Sequence, residues 1–317
     1  MRTNKKLRIF TWHVHGNYLY YLSQVPHTFY LPVDEARSPG YTGRAGALPW
    51  GANVVELPLE QIPDTEFDCI LFQSRAHYEE DQHRILSDAQ QRLPRIFLEH
   101  DTPQRHPTDT RHPVYDPAVL LVHVTPFNAL MWDNGIVPVR VIDHGVIVPR
   151  DVRYDGSLPR GIAVVNHLAR RGRRLGADVF DAARAEVALD LVGMASEANG
   201  GLGEIPNPEL PAFLSRYRFY FHPVRWTSLG LAALEAMMIG MPVVGLATTE
   251  LVSVIRNGES GYIDTDLRRL VECMKQLIDD PVEAARLGAG ARREALRRFG
   301  IGRFVDDWMR VFAEATG

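Results

Sequence analysis

The sequence predicts an α/β protein of two domains, each with a mainly parallel sheet, and three observations carry that reading. Short apolar segments recur at fairly regular spacing with helix-patterned segments between them, the alternation that gives parallel strands joined by crossover helices. The 317 residues suffice for two domains of roughly 150 residues, each with its own core. A polar tract rich in Pro and Gly, residues 149–161, lies midway and leads at once into a new apolar strand, so it reads as the linker.

In the first half, strands are expected at 7–12, 27–32, 54–57, 68–73, 95–99, 119–124 and 139–142. A helix is expected over 79–92, and another begins after Thr125, a residue type whose hydroxyl suits an N-cap. The first strand runs into HVHGNYLYYLSQ, where Gly16 marks a strand-to-helix turn bracketed by His13 and His15. On so aromatic a segment these two histidines fit cleft-lining or hydrogen-bonding positions better than a metal site. The segment FLEHDTPQRHPTDTRHP gathers His100, Asp101, His106, Asp109 and His112. Their spacing matches no standard metal site, and three prolines make the segment a surface loop first. His100 and Asp101 directly follow an apolar strand, which sets them at the carboxyl edge of the sheet, where open α/β sheets bind ligands.

The second half opens with a strand at 162–165, followed by NHLARRGRRLGADVFDAARAE. Arg170, Arg171, Arg173 and Arg174 crowd the turn where that strand gives way to a helix. Part of such a cluster is ordinary solvated surface. The remainder suits a diphosphate, because a guanidinium fork binds two phosphate oxygens at once. A strand follows at 189–192, then a GGLG loop at 200–203, a helix over 209–217 and amphipathic helices over 267–279 and 282–299. The closing segment 302–315 spaces Phe304, Trp308, Val311 and Phe312 as one helix face, read as core contacts.

The stretch RFYFHPVRWTSLGLAALEAMMIGMPVVGLA, residues 218–247, holds the strongest signal. It reads as a strand at 219–222, a loop at 223–227, a helix over 228–239 and a strand at 242–246. Between Ser228 and Val244 the only charged side chain is Glu235. A helix apolar nearly all round is normally buried, and a carboxylate there needs donors to offset its desolvation. Glu235 is therefore either a structural carboxylate held by amides or an Arg, or a ligand group where the turn opens at the carboxyl end of a parallel strand. In the second case it can accept both hydroxyls of a ribose. The N–H groups of Ser228, Leu229 and Gly230 at the helix start can then hold a phosphate, and ribose with phosphate makes a nucleotide.

Composition is that of an ordinary globular protein, with 45% hydrophobic and 23% charged residues. A net charge of −4 argues against a nucleic-acid carrier. Cys69 and Cys273 lie far apart in apolar surroundings, as buried free thiols in a reducing cytoplasm would. With no run of 18 apolar residues and no signal-peptide core at the N-terminus, a soluble intracellular protein is expected, free in the cytoplasm or peripheral to the inner membrane face, without stable membrane insertion.

Several of these segments share one resemblance. The run 221–263, with LEAMMIGMPVVG followed by VIRNGESGYI, resembles the donor domain of the GT-B glycosyltransferases of the retaining family 4 type. IFLEHD is similar to the end of the fourth strand of their acceptor domain. VHVTPFNALMWDNGI with VPVRVIDHGV is similar to the stretch ending in their interdomain turn, and VVNHLARRGRRLGADVF to the first strand and basic turn of their donor domain.

The resemblance implies a GT-B fold: two Rossmann-like domains with parallel sheets facing each other across a cleft. Residues 1–150 would bind the acceptor and 151–300 the nucleotide sugar, with a final helix at 301–317 packing back on the first domain. It implies a hexosyltransferase that uses a UDP- or GDP-sugar as co-substrate, with no other cofactor and no metal. The acceptor stays open among a glycan, a lipid-linked sugar, a small metabolite and a nucleic-acid base. Glu235 matches the second Glu of the family's E-x7-E motif, which binds the ribose, while Thr227 stands where the first Glu would be. His100, beside Asp101, matches the His that contacts the donor sugar and its phosphate, and Gly16 falls in the first glycine-rich loop. Arg173, or Arg171 in a shifted alignment, takes the place of the Lys that neutralises the diphosphate; Asn166-His167 replaces the usual Gly-Arg after the opening strand. Two other readings stay open: a catalytically silent nucleotide-sugar-binding subunit, suggested by Thr227 and the Asn166-His167 pair, and a sugar-nucleotide epimerase of the same fold, against which the LEAMMIGMPVVG form argues.

Overall fold

The computed structural model describes residues 5–317, and the chain forms two compact units. The first runs up to Gly145 and is completed by Ile301–Gly317; the second is Val146–Gly300.

The first unit is built on seven strands: β1 (Arg8–Thr11), β2 (Thr28–Val33), β3 (Val54–Pro58), β4 (Cys69–Phe72), β5 (Arg95–Glu99), β6 (Val119–His123) and β7 (Val139–Val141). They pair in the order β3-β2-β1-β4-β5-β6-β7, every pair parallel. The order reverses between β1 and β4, and at such a switch point the loops leaving the carboxyl ends diverge and leave a crevice. The central strands are buried on both faces, as their unbroken apolar runs require. The helix Ile301–Thr316 lays its apolar stripe on this unit: Phe304, Trp308, Val311 and Phe312 are buried. The Trp308 indole donates to the Tyr18 hydroxyl at 3.3 Å, and Phe312 packs edge-on against His27 and Phe29.

The single helix expected over 79–92 is broken. A wide helical turn, His77–Asp81, and a short one, Gln82–Ile85, end at Leu86, which is extended with φ −97°. A separate turn, Gln90–Arg92, follows. The cause is local: the Ser87 amide donates to Gln90 Oε1 at 2.9 Å and the Gln90 amide to Ser87 Oγ at 3.4 Å, a reciprocal cap that starts a new helical turn.

The second unit carries β8 (Leu158–Val164), β9 (Leu189–Val192), β10 (Tyr217–His222), β11 (Val243–Leu246) and β12 (Gly261–Asp264). They pair in the order β12-β11-β10-β8-β9, all parallel, with the reversal between β8 and β10. The tract expected as a linker is shorter than 149–161, because its last four residues belong to β8. The helix expected over 209–217 closes at Leu214, and β10 begins at Tyr217. Arg218 on that strand is buried. It donates to the Gly156 carbonyl at 2.8 Å and to those of Leu277 and Ile278 at 3.2 and 2.6 Å, at the end of the helix Leu267–Asp279. A guanidinium buried at a helix C-terminus satisfies the orphan carbonyls and meets the negative end of the dipole. Cys69 is buried and Cys273 half-buried; both are free thiols, so Cys273 differs from the fully buried position expected.

Candidate functional site

The β8/β10 switch point of the second unit brings together most of the residues singled out there. β10 ends at His222, the chain passes through an irregular loop that bends at Arg225, Trp226 and Ser228, and the helix Leu231–Ile239 follows. This helix starts three residues later than expected. Gly230 is its N-cap, with φ −72° and ψ 127°, while Ser228 and Leu229 are buried in the approach to it. Ser228 and Leu229 are held by packing outside the helix, although Ser is a favoured capping residue. The amides that the helix leaves without an i−4 acceptor are therefore those of Leu231, Ala232 and Ala233, and the last of these bonds back to the Gly230 carbonyl at 3.1 Å. The donors assigned to Ser228, Leu229 and Gly230 move one turn along the chain.

Glu235 sits one turn inside this helix and is 1% exposed. Alternate residues of β10 lie beneath the helix in matching order. Tyr220 lies near Glu235, whose negative charge joins burial in pushing the phenol upward, and its hydroxyl reaches the Val164 carbonyl at the end of β8 at 3.4 Å. His222, two residues on, lies by Gly230, where a Cβ would stand 3.5 Å from its Cε1. The His222 ring is 4% exposed, its Nδ1 has no hydrogen-bond partner among the described residues, and burial holds it down to about 4. It is an uncharged imidazole at neutral pH.

The basic turn after β8 is built on unusual backbone. Asn166 at the strand end is exposed, and its Oδ1 accepts from the Met194 amide at 2.9 Å, pinning the loop after β9. His167 has φ 54° and leads into the helical turn Leu168–Arg171. Gly176, with φ 81°, starts the helix Ala177–Arg184 where a Cβ would fall 2.0 Å from the Pro223 carbonyl oxygen, so only glycine lets this turn abut the loop after β10. Arg173 is exposed and pairs with Asp178, which Arg225 grips from the other loop at 2.5 and 2.9 Å. The side chain expected to stand ready for a diphosphate is thus tied to a carboxylate. Two guanidiniums against one carboxylate still leave this corner net positive. Those two charges hold Asp178 below the usual carboxylate range, the hydrogen bond from Arg225 being the largest cause. Arg171 and Thr227 are both half-buried, in the turn before Gly172 and in the approach to the helix.

In the first unit, Gly16 begins the helix Gly16–Leu22, and a Cβ there would stand 3.1 Å from His13 Nε2. The His13 ring itself bonds to the Gly43 carbonyl at 2.5 Å. His100 follows β5, and its Nε2 meets Gln73 Oε1 at 3.0 Å; Gln73 in turn donates to Thr11 Oγ1 and the Trp12 carbonyl, each at 3.0 Å. The β1, β4 and β5 carboxyl ends are thus linked through one amide. His15 and Tyr18 pack on the His100 ring at 4.2 and 4.7 Å. Burial, then His15 and His144, keep that ring well below the usual imidazole range, so it is a neutral hydrogen-bonding group. Asp101 enters this arrangement through its backbone, its amide donating to Glu99 Oε1 and its carbonyl accepting from Trp132 Nε1. His112 is withdrawn from the loop into a pair with Glu99 at 3.1 Å. Among the described residues no group of three or more His, Cys, Asp or Glu is placed to hold a metal ion.

Tyr220, His222, Asp178 and Arg225 were not singled out in the sequence. β10 is buried along its whole length, which hides the face that Tyr220 and His222 share. Arg225 in HPVRW was the one visible signal, a cation directly after a buried strand.

Two parallel α/β units, each with a sheet switch point, are the architecture of the GT-B glycosyltransferases, and known structures share the fold. The sucrose-phosphate synthase of Thermosynechococcus elongatus superposes with a TM-score of 0.69 at 15% identity, covering 98% of this chain and 99% of that one. Anabaena Alr3699/HepE, solved in complex with UDP and glucose, gives 0.68 at 12% identity over 97% of this chain and 100% of that one. Within the second unit, residues 200–294 match the model of the family Glycosyl transferases group 1. The D-inositol 3-phosphate glycosyltransferase 1 of Catenulispora acidiphila is 36% identical over 112 residues, which are 35% of this chain and 27% of that protein. Glycogen synthase of Mycobacterium tuberculosis is 31% identical over 117 residues, 36% of this chain and 26% of that protein. The matched region thus spans about a quarter of the length of these relatives.

Proposed function

We propose that this protein is a retaining glycosyltransferase that moves a hexose from a nucleoside diphosphate sugar to a hydroxyl acceptor. The observation that carries most weight is the position of Glu235: it lies inside the group 1 domain, on the helix that starts at the β8/β10 switch point, beside the strand end where a nucleotide would enter. In this reading the carboxylate accepts the ribose hydroxyls and the amides of Leu231 and Ala232 face the diphosphate. UDP is the preferred nucleotide of the donor, since structural neighbours such as Alr3699/HepE were solved with it; GDP is the alternative.

The chemistry follows from where charge develops. As the bond from the anomeric carbon to the diphosphate oxygen breaks, the leaving group gains negative charge and the sugar becomes oxocarbenium-like. The site therefore needs fixed cations and amide dipoles more than a strong base. Arg173 and Arg225 supply the cations, and the helix start supplies the dipoles. The acceptor oxygen forms the new bond to the anomeric carbon on the face that the diphosphate leaves, and its proton passes to the departing phosphate. A neutral His100 fits a role in orienting hydroxyls, and the residues named here need neither a resident cofactor nor a metal for this step. The acceptor is a hydroxyl compound, with glycan, lipid-linked sugar and small metabolite as the candidates. No helix among the described residues is long and apolar enough to cross a membrane.

Incubation with UDP-, GDP- and dTDP-sugars tests the proposal: nucleoside diphosphate should be released with at least one of them, and Glu235→Ala should abolish that release. Thr227 in place of an acidic residue favours one second reading, a nucleotide-sugar-binding subunit without turnover. Binding without release would select it. An altered sugar on an intact diphosphate would indicate an epimerase. Unchanged nucleotide binding by Glu235→Ala would overturn the assignment of the site.

A further inference from the structure

In the first unit, the bonding of one buried amide fixes where a neighbouring ring carries its proton. Gln73 directly follows β4, is 5% exposed, and has a partner for its oxygen and for both of its N–H groups. Nε2 donates to Thr11 Oγ1 and to the Trp12 carbonyl, each at 3.0 Å, and Oε1 faces His100 Nε2 at 3.0 Å. The Trp12 carbonyl decides which end of the amide is which: a carbonyl can only accept, so the atom beside it is the NH2. The oxygen is then the atom turned to His100, and an amide oxygen also can only accept. His100 Nε2 must therefore carry a hydrogen. Near neutral pH the ring holds no second one, because burial, then His15 and His144, keep it well below the usual imidazole range. Nδ1 is thus a bare lone pair. It makes no hydrogen bond within the described residues, and it is not closed off from solvent as the Nδ1 atoms of His77 and His123 are. The half-buried ring stands at the carboxyl edge of β5, one strand over from the β1/β4 switch point.

We infer that Gln73 is a positioning residue: it locks His100 in the tautomer protonated at Nε2, so that the ring meets substrate with Nδ1 as a bare acceptor for a sugar hydroxyl. The inference rests on the reading of this protein as a glycosyltransferase and deepens it by fixing the kind of group that the ring can take. A phosphate oxygen is an acceptor, and against a bare nitrogen it sets lone pair against lone pair. A hydroxyl supplies the hydrogen that Nδ1 lacks and keeps its own lone pairs for other donors. The lock resists reversal. To draw the proton to Nδ1, Gln73 would have to turn its NH2 toward His100, and the buried Trp12 carbonyl would then face the amide oxygen and lose its donor.

The test uses the full chain carrying isotope-labelled histidine, as wild type, Gln73→Leu and Gln73→Glu, with ring nitrogen shifts read by NMR at pH 7 and His100→Ala used to assign the His100 signals. Wild type should show a protonated Nε2 and a bare Nδ1. Gln73→Leu keeps the bulk and removes the acceptor. Its Nδ1 shift should move toward the average of the two tautomers, and kcat for UDP release from UDP-glucose should fall about tenfold, the size of one lost hydrogen bond. UDP affinity should change by less than about threefold, since phosphates gain nothing from a bare nitrogen. Gln73→Glu, whose carboxyl oxygen can still accept from Nε2, should keep the wild-type tautomer and recover part of the turnover. A proton on Nδ1 in the wild type, beside normal turnover, overturns the inference alone. Turnover lost in Gln73→Leu with the Nδ1 shift unchanged, or with UDP affinity reduced equally, marks a merely structural residue and overturns it too. If the wild type releases nucleoside diphosphate from none of the UDP-, GDP- and dTDP-sugars, the glycosyltransferase reading fails and takes the inference with it. Should Gln73→Leu not fold, as judged by thermal melting, Gln73→Glu decides: the wild-type tautomer with turnover retained sustains the inference, and a proton on Nδ1 with turnover unimpaired overturns it.

Discussion

Arg225 holds Asp178 with two hydrogen bonds, at 2.5 and 2.9 Å, and so ties the loop after β10 to the first turn of the Ala177–Arg184 helix. The same carboxylate takes Arg173, so one acidic group sets the position of both cations in the basic corner. An exposed ion pair adds little to stability, on the order of 0–1 kcal/mol. Its value lies in where it holds charge. Arg225→Ala should therefore weaken UDP binding by about tenfold, with urea unfolding shifted by less than about 1 kcal/mol. Asp178→Ala should change stability as little and binding less, because it releases both cations without removing either; titration calorimetry of the two variants checks the order.

Gly176 is the position at which the basic turn meets the loop after β10. With φ at +81° and a Cβ that would fall 2.0 Å from a backbone oxygen, alanine there meets both strain and a clash that no rotamer relieves. Gly176→Ala should lower the stability of the second unit by about 3 kcal/mol or more. Gly172→Ala, four residues earlier and with nothing within 4 Å of its Cβ, meets strain alone and should lower it by less. Denaturant unfolding of both variants makes the comparison.

Asp68 in the first unit gives a pH prediction. Burial works to raise its pKa, yet hydrogen bonds from Lys5, the Arg8 guanidinium and the Arg8 amide prevail and bring it down to about 2. A carboxyl whose folded pKa lies below its unfolded value stabilises the protein above the unfolded pKa of about 3.9, and that contribution is lost as pH falls toward the folded one. Asp68→Ala should thus cost about 2 kcal/mol at pH 7. The gap from wild type should narrow between pH 4 and 2. Urea unfolding at a series of pH values would show it, and a gap that stays constant across that range would count against this pairing.

The strands and their parallel pairing were legible because buried strands in open α/β sheets are continuous apolar runs, as in CILF and VLLVH. Glu235 was legible for the complementary reason, a single charge in an otherwise apolar helix. The start of that helix was misjudged. Ser228 has the right chemistry for a cap, but Ser228 and Leu229 are buried in the bent loop and the helix waits until Gly230, a tertiary effect that local preference cannot register. The pairing of Arg225 with Asp178 spans 47 residues, and no local pattern marks it. In the same way His222 hides in a strand buried at every residue, where alternation of faces leaves no trace in the sequence.

The return of Ile301–Gly317 to the first unit makes the second an insertion in the chain of the first. One consequence concerns dissection of the molecule. Residues 146–300 form a contiguous segment that can be excised with both of its ends intact, and this piece alone should unfold cooperatively and bind nucleotide. The first unit has no such single segment: cutting after Gly145 strips it of Phe304, Trp308 and Phe312, and the aromatic surface they cover is laid open to water. It can be made by itself only as a fusion of Gly145 to Ile301, and a simple truncation at that point should aggregate where the fusion stays in solution.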